Sequence, residues 1–184
     1  MDKKDIKSII KTALSLFLIC AVATGILAFI NSVTAPIITQ NNAAAADAAR
    51  LEVLPEAEAF TEADSDGTAY YIGKSGSDTV GYVFTTSASG YGGTIEVMTG
   101  INKDGIITGI SILSINETPG LGMNAKKDSF LNQYIGSEGP FSVIKNATPD
   151  NNEVLAITSA TITSRAVTNA VNEAKELFNT VKEG

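Results

Sequence analysis

The sequence predicts an α+β protein in which one N-terminal transmembrane helix precedes a single domain with an antiparallel sheet and a C-terminal amphipathic helix. Three observations predict this fold. An uncharged apolar run follows a group of lysines near the N-terminus. Apolar residues then alternate with a period of two, and near the C-terminus they recur with the 3.6 period of a helix. The length of 184 residues suits one membrane element and one domain of ordinary size.

The transmembrane helix is predicted from Ala13–Ile30, ALSLFLICAVATGILAFI, because no charge occurs between Lys11 and Asp47. With its apolar flanks this run is long enough to cross a hydrocarbon core of about 30 Å. Basic residues precede the run, so the positive-inside rule puts the N-terminus in the cytoplasm and the following domain outside the cell (inner) membrane. These residues are Lys3, Lys4, Lys7 and Lys11.

Two other interpretations of this segment are open. A cleaved signal peptide would end at Ala35, although Pro36 disfavours cleavage and the apolar run is long for a signal. A lipoprotein signal would use Cys20, although Ile19 before it is bulkier than the small residue such signals carry. The retained anchor is favoured, and residues 1–35 are assigned to the cytoplasmic N-terminus and the anchor.

Residues 36–67 are predicted to form a juxtamembrane helix and a linker ahead of the domain at 68–184. Thr39–Leu54 is rich in alanine, and Pro55 ends the helical pattern. The acidic stretch Glu56–Gly67 is predicted to be a surface connection.

The period-two region predicts four strands, with a tight hairpin turn at Asn102–Gly105 and another turn at Gly73–Asp78. The strands are Tyr70–Ile72, Val80–Thr86, Thr94–Ile101 and Ile106–Ile115. Further short elements are expected to be a helix at Asp128–Tyr134 and strands at Phe141–Ile144 and Val154–Ile157. The amphipathic helix is predicted from apolar residues that recur from Ala166 to Val181.

A cluster of hydroxyl groups lies just before that helix, in Ile157–Val167, ITSATITSRAV. A serine or threonine before a helix usually caps it, which explains one hydroxyl, Thr163 or Ser164. Capping does not explain all five hydroxyl groups of the segment, which belong to Thr158, Ser159, Thr161, Thr163 and Ser164. Because a helix N-terminus favours phosphate, a bound or covalently attached phosphate is the second interpretation.

Two glycine-containing segments carry further candidate residues. Glu117–Lys127, ETPGLGMNAKK, is either a strand-to-helix turn with Glu117 as a solvated carboxylate, or a stiff turn whose backbone approaches a ligand closely. Ser89–Gly93, SGYGG, is either a hairpin loop with Tyr91 as a packing residue, or a close contact with a flat ligand.

Composition excludes several classes of function. The absence of histidine excludes His-based triads, His-ligated zinc and His-ligated haem. The lone Cys20 can neither form an intrachain disulfide nor ligate an iron–sulfur cluster alone. A net charge of −7 disfavours nucleic-acid binding. No GxGxxG motif follows a strand, which disfavours a nucleotide-binding βαβ unit.

These segments, in this order behind an anchor, resemble the RnfG component of the Rnf ion-translocating oxidoreductase complex, which is related to NqrC. Both carry an FMN-binding domain of the extracytoplasmic type. The resemblance implies FMN joined through its phosphate to a threonine, in a motif similar to Asp-x-x-Ser/Thr-Gly-Ala-Thr. Thr161 aligns with the final threonine and is the implied attachment residue, with Thr163 as the fallback.

The resemblance also implies the cofactor-binding residues. They are Thr158, Ser159, Ala160, Thr163 and Ser164 around the phosphate, Glu117, Thr118, Pro119, Gly120, Leu121 and Gly122 along the isoalloxazine and ribityl pocket, and Tyr91 at the ring. Two positions depart from the motif. Ser159 replaces its glycine, a small change in size, and Leu155 replaces its aspartate, which bears on recognition by the flavin transferase.

The implied function is an electron relay. As a subunit and not a self-sufficient enzyme, the protein would pass electrons within a complex that links ferredoxin and NAD and translocates Na⁺ or H⁺. Its partners would be the other Rnf subunits, including a second flavin-bearing one, and a flavin transferase during maturation. Two alternatives remain open: a stand-alone anchored flavoprotein, and an anchored scaffold module whose flavin motif has decayed.

Overall fold

The computed structural model describes residues 3–65 and 67–183, and it begins with one long helix. This helix, α1 (Lys3–Val53), is long and apolar enough to cross a membrane, by length and composition. Pro36 lies inside α1 and does not end it. Contacts divide the chain into two compact units, the first ending at Ala44 and the second beginning at Ala45.

The second unit is built on a five-stranded antiparallel sheet whose strands follow chain order. The turn at Asn102–Gly105, between the fourth and fifth strands, forms as predicted. The Asn102 side-chain oxygen accepts backbone N–H bonds from Asp104 (3.0 Å) and Ile106 (2.9 Å), and Gly105 has φ of +91°. The strands are β1 (Ala59–Ser65), β2 (Thr68–Ser75), β3 (Asp78–Ser89), β4 (Thr94–Asn102) and β5 (Ile107–Ser114).

Smaller elements connect the sheet to the last helix. A 3₁₀ turn, Gly122–Lys126, leads into the short helix α2 (Asp128–Leu131). Two strands, β6 (Ser142–Ile144) and β7 (Glu153–Leu155), then pair in parallel. The chain ends in α3 (Thr161–Glu183), the predicted amphipathic helix.

The sheet buries apolar side chains on both faces. On one face, α3 packs on β3 and β4. Its core there includes Ile95, Val97 and Val171. On the other face, the last turns of α1 bury Val53 against Met98 and their neighbours. The sheet is therefore a central layer whose two faces are both covered.

The four predicted strands, the antiparallel sheet and the C-terminal helix are confirmed, and two details were wrong. Glu56–Gly67 is not only a surface connection, because β1 lies within it and pairs with β2. Its acidic sequence is that of an edge strand, whose outer side chains meet water. Gly73–Asp78 is mostly strand, and only its middle turns. Thr39–Val53 is helical as predicted and forms the last part of α1.

Candidate functional site

The three segments singled out from the sequence meet around one cavity of about 540 Å³. The SGYGG loop links β3 to β4, the ETPGLG loop follows β5, and the hydroxyl-rich segment leads into α3. They are far apart in sequence, and the sheet order brings them to the same end of the domain. The lining residues are Tyr91, Glu117, Thr118, Leu121, Gly122, Ser159, Ala160, Thr161, Ile162 and Thr163.

Glu117 joins two of these walls. It is buried, and its Oε1 accepts backbone N–H bonds from Tyr91 (2.7 Å) and Gly92 (3.2 Å). The interpretation of Glu117 as a solvated carboxylate is therefore wrong. Tyr91 itself is 75% exposed, so its side chain stands at the mouth of the cavity and is not a packing residue.

The glycines of both loops let this carboxylate fit. A Cβ at Gly90 would lie 2.4 Å from Glu117 Oε1, and one at Gly122 would lie 2.6 Å from Oε2. A Cβ at Gly92 would lie 2.1 Å from the Asn116 carbonyl oxygen. The close approaches expected from the glycines thus occur between the two loops.

The segment before α3 turns sharply at Ser159, which has φ of +61°. This left-handed conformation favours glycine, the residue that the resembling motif carries at this position. The backbone N–H of Ala160 donates to the Ile157 carbonyl oxygen at 3.0 Å, closing the turn. Serine in place of glycine at position 159 therefore raises the free energy of the backbone conformation, in addition to enlarging the side chain.

The helix begins at Thr161, earlier than expected, so Thr163 and Ser164 lie in its first turn and neither precedes it as a cap. The Ser164 hydroxyl instead accepts the Ile157 N–H and donates to the Ala160 carbonyl oxygen, both at 3.0 Å. It ties the turn to the helix.

The two candidate attachment residues differ in exposure. Thr161 is partly exposed on the cavity wall, whereas Thr163 is 1% exposed. The Thr163 hydroxyl lies behind Gly122, where an added Cβ would come within 2.8 Å of Oγ1. Of the two hydroxyls, that of Thr161 is the more open to a reacting group.

A buried polar chain extends from this turn into the core. The Thr168 hydroxyl donates to the Ser164 carbonyl oxygen (2.9 Å) and bonds to the Tyr134 hydroxyl (2.8 Å). Tyr134 is fully buried, and burial raises the pKa of its phenol far above the usual value. The phenol therefore stays protonated and acts as a hydrogen-bonding core residue.

A second cavity of about 500 Å³ lies on the other side of Leu121 and Ser159. Thr158, Gly120 and Leu155 line it. The backbone of Leu155 is held by Gln133, whose Oε1 accepts its N–H at 2.7 Å and whose Nε2 donates to its carbonyl oxygen at 3.4 Å. The Leu155 side chain is 39% exposed.

Most of the predicted site residues therefore lie together, and four do not line the first cavity. Thr158 and Gly120 line the second cavity, Ser164 is buried behind the turn, and Pro119 lines neither. Sequence reasoning missed Ile162, which is 54% exposed at the first cavity. Ile162 could have been identified from the sequence, because it is an apolar residue that lies outside the buried apolar face of α3.

The residues of the first cavity fit a phosphate-bearing flat cofactor. The first N–H groups of α3 have no acceptor within the helix, and its N-terminal dipole favours an anion beside Thr161. Exposed apolar side chains, Leu121 and Ile162, with the Tyr91 ring, offer contact surface for an aromatic ring system. Among the described residues no group of three or more acidic or cysteine side chains is placed to hold a metal ion.

Comparison with known proteins identifies the family. Residues 90–176 match the FMN-binding domain, and residues 1–53 match the RnfG N-terminal region. The chain is 40% identical to the G subunit of the Na⁺-translocating ferredoxin:NAD⁺ oxidoreductase complex of Acetobacterium woodii, over 97% of this chain and 96% of that protein. The chain belongs to the RnfG family.

Other relatives agree with this assignment. The G subunit of the proton-translocating ferredoxin:NAD⁺ oxidoreductase complex of Clostridium ljungdahlii is 33% identical, over 98% of this chain and 97% of that protein. Among solved structures, NqrC of Shewanella oneidensis has a TM-score of 0.56 at 18% identity, covering 73% of this chain and 74% of that one. The RnfG-family chain thus has an NqrC-like fold, as the resemblance implied, and it is related to oxidoreductase subunits.

Proposed function

We propose that this protein is the electron-relay subunit of an ion-translocating ferredoxin:NAD oxidoreductase complex and carries FMN joined through its phosphate to Thr161. The observation that carries the proposal is the position of Thr161. It is the first residue of α3, partly exposed, and it faces the same cavity as Glu117 and Tyr91. The names of the relatives from Acetobacterium woodii and Clostridium ljungdahlii support the assignment to a complex.

Each part of the site has a role in this proposal. The N-terminus of α3 stabilises the phosphoester anion. The turn at Ser159 brings Thr161 to the first position of that helix. Residues of the ETPGLG and SGYGG loops line the cavity and would form the wall for the ring. FMN supplies the transfer of one or two electrons, and the covalent link keeps it from dissociating between turnovers.

The proposal extends to the membrane. Residues 1–35 are the cytoplasmic N-terminus and anchor, and the sheet domain, which includes β1 and the last turns of α1, lies outside, where a flavin transferase would load it. Labelling intact cells with a membrane-impermeant maleimide tests this orientation, in a background where Cys20 is replaced by alanine. Ser77→Cys, in an exposed turn, should react, and Lys7→Cys should react only after lysis. The opposite pattern would refute the orientation.

The proposal also includes ion translocation by the complex and binding of this protein to the other subunits. The Acetobacterium woodii relative is named for Na⁺ and the Clostridium ljungdahlii relative for protons, so the names support ion translocation in general and do not select one ion. The partners are the other subunits of the complex, which co-purification with the full chain would test.

Covalent flavin is tested by co-expressing the full chain with a flavin transferase and viewing a denaturing gel under ultraviolet light. We expect fluorescence in the unmodified protein and in the control Thr180→Ala, at an exposed position far along α3, and none in Thr161→Ala. Loss only in Thr163→Ala would move the attachment to the buried hydroxyl. Absence of fluorescence in every lane, with a flavinylated control protein present, would instead favour an anchored scaffold without covalent flavin.

A further inference from the structure

Glu117 is a buried acid at the first cavity, and no described Lys or Arg forms an ion pair with it. It is 9% exposed and lines the cavity. Its Oε1 accepts two backbone N–H bonds, from Tyr91 and Gly92. Among the side chains that the structure describes, the one ion pair with atoms within 4 Å joins Arg50 to Asp47, so none involves Glu117. Its carboxylate therefore places a negative charge at the cavity that hydrogen bonds stabilise, without an ion pair to any described side chain.

We propose that Glu117 is a potential-setting residue, whose charge lowers the reduction potential of the FMN in this cavity and whose hydrogen bonds hold the Tyr91 loop. The inference rests on the proposed function, since it requires FMN in the cavity. Reduction adds two electrons to the flavin, and a nearby fixed negative charge opposes that gain. Because Glu117 is nearly buried, water and salt screen this repulsion less than they would screen a surface charge.

The main alternative is that Glu117 only fixes the loops. Its Oε1 lies where a Cβ at Gly90 would clash, and its Oε2 lies where a Cβ at Gly122 would clash, so the carboxyl group also fills space between the two walls. Charge and shape are separable by substitution. Glutamine keeps the length and an oxygen that accepts N–H bonds, while aspartate keeps the charge and shortens the side chain by one carbon.

The test is a redox titration of the full chain in detergent, with bound FMN, using dithionite and mediator dyes. Glu117→Gln should raise the midpoint potential by at least about 30 mV. For a two-electron couple this is a tenfold change in the equilibrium between oxidised and reduced flavin. The matched control Glu173→Gln removes the same charge from an exposed position on α3 and should leave the potential unchanged.

Glu117→Asp gives the opposite pattern. The equilibrium constant for reduction of its flavin should stay within a few-fold of the value in the unmodified protein. Hydrogen exchange at the amides of Tyr91 and Gly92 should speed up, because their bonds to the shortened side chain weaken. In Glu117→Gln these amides should remain protected. If Asp raises the potential as much as Gln, or if folded Gln leaves it unchanged, the charge role is overturned.

The outcome also separates this inference from the proposed function. FMN bound without a covalent link is enough for the titration, so failure of the Thr161 attachment still leaves a potential to compare. If the unmodified protein binds FMN and Glu117→Gln has the same potential, the inference alone fails. If the unmodified protein binds no FMN under saturating conditions, both fail.

Discussion

The hydroxyl of Thr108, in β5, donates a 2.5 Å hydrogen bond to the carbonyl oxygen of Val53, the last residue of α1. Helix ends leave carbonyl groups without partners, and here a strand supplies one. The same carbonyl lies over Gly100 and Gly109, which face each other on β4 and β5. The end of α1 is therefore an integral part of the sheet domain.

We expect Gly100→Ala to destabilise the domain. A Cβ there would lie 2.1 Å from the Val53 carbonyl oxygen, so the helix end must move away from the sheet. Overpacking of this kind costs about 1–3 kcal/mol, and each kcal/mol lowers Tm by about 2–4 °C for a chain of this size. Thermal unfolding of the full chain in detergent, followed by circular dichroism, measures the change.

The control for this substitution is Gly25→Ala, because a Cβ at Gly25 meets nothing within 4 Å and the residue lies in α1. Its Tm should not fall. Equal melting temperatures for Gly100→Ala and the unmodified chain would show that the contact between Val53 and the sheet contributes little to stability.

At Ser159 we expect the backbone conformation to decide which substitutions are tolerated. Its φ of +61° costs an ordinary residue about 1–2 kcal/mol, and a β-branched residue fits it poorly. Ser159→Val should lower Tm and covalent flavin loading, whereas Ser159→Gly should preserve both. Thr180→Val, which adds a β-branched apolar residue at an exposed position of α3 far from the turn, serves as the control. Normal loading of Ser159→Val would contradict a requirement for this turn.

The sequence was sufficient to predict the repetitive parts of the fold. Alternation identified β2 to β5, and the 3.6 period identified α3. Contacts between distant segments were not predictable in this way. The burial of Glu117 depends on amides 25 and 26 residues away in sequence, and the left-handed turn occurs at a serine instead of the glycine that would have signalled it. The edge strand β1 was missed because its side chains lie largely towards water.

Tyr134→Phe should lower stability near neutral pH by about 1 kcal/mol, because it removes the bond to Thr168 in the core. The difference should vanish in alkali. Burial raises the pKa of Tyr134 in the folded protein above the ordinary 10.0, so from about pH 10 the unfolded chain loses this proton first. Stability of the unmodified protein then falls by about 1.4 kcal/mol per pH unit from this group, and phenylalanine has no such loss.

Urea unfolding between pH 8 and 11 measures this effect. The control Thr168→Val breaks the same hydrogen bond from the other side and keeps the buried phenol, so it should retain the alkaline slope. Parallel pH profiles for Tyr134→Phe and the unmodified chain would contradict the assignment of that slope to Tyr134.

Leu155→Asp restores the acidic residue of the motif that this chain resembles, and we expect it to speed covalent loading without harming the fold. The Leu155 side chain is 39% exposed, and its backbone is held by Gln133 regardless of the side chain at 155. An exposed side chain six residues before Thr161 is open to an approaching transferase.

The rate of fluorescence gain on denaturing gels measures loading. Leu155→Ala separates loss of the apolar group from gain of the charge. If alanine and aspartate speed loading equally, bulk at this position limits the reaction, and if neither does, the transferase does not depend on residue 155.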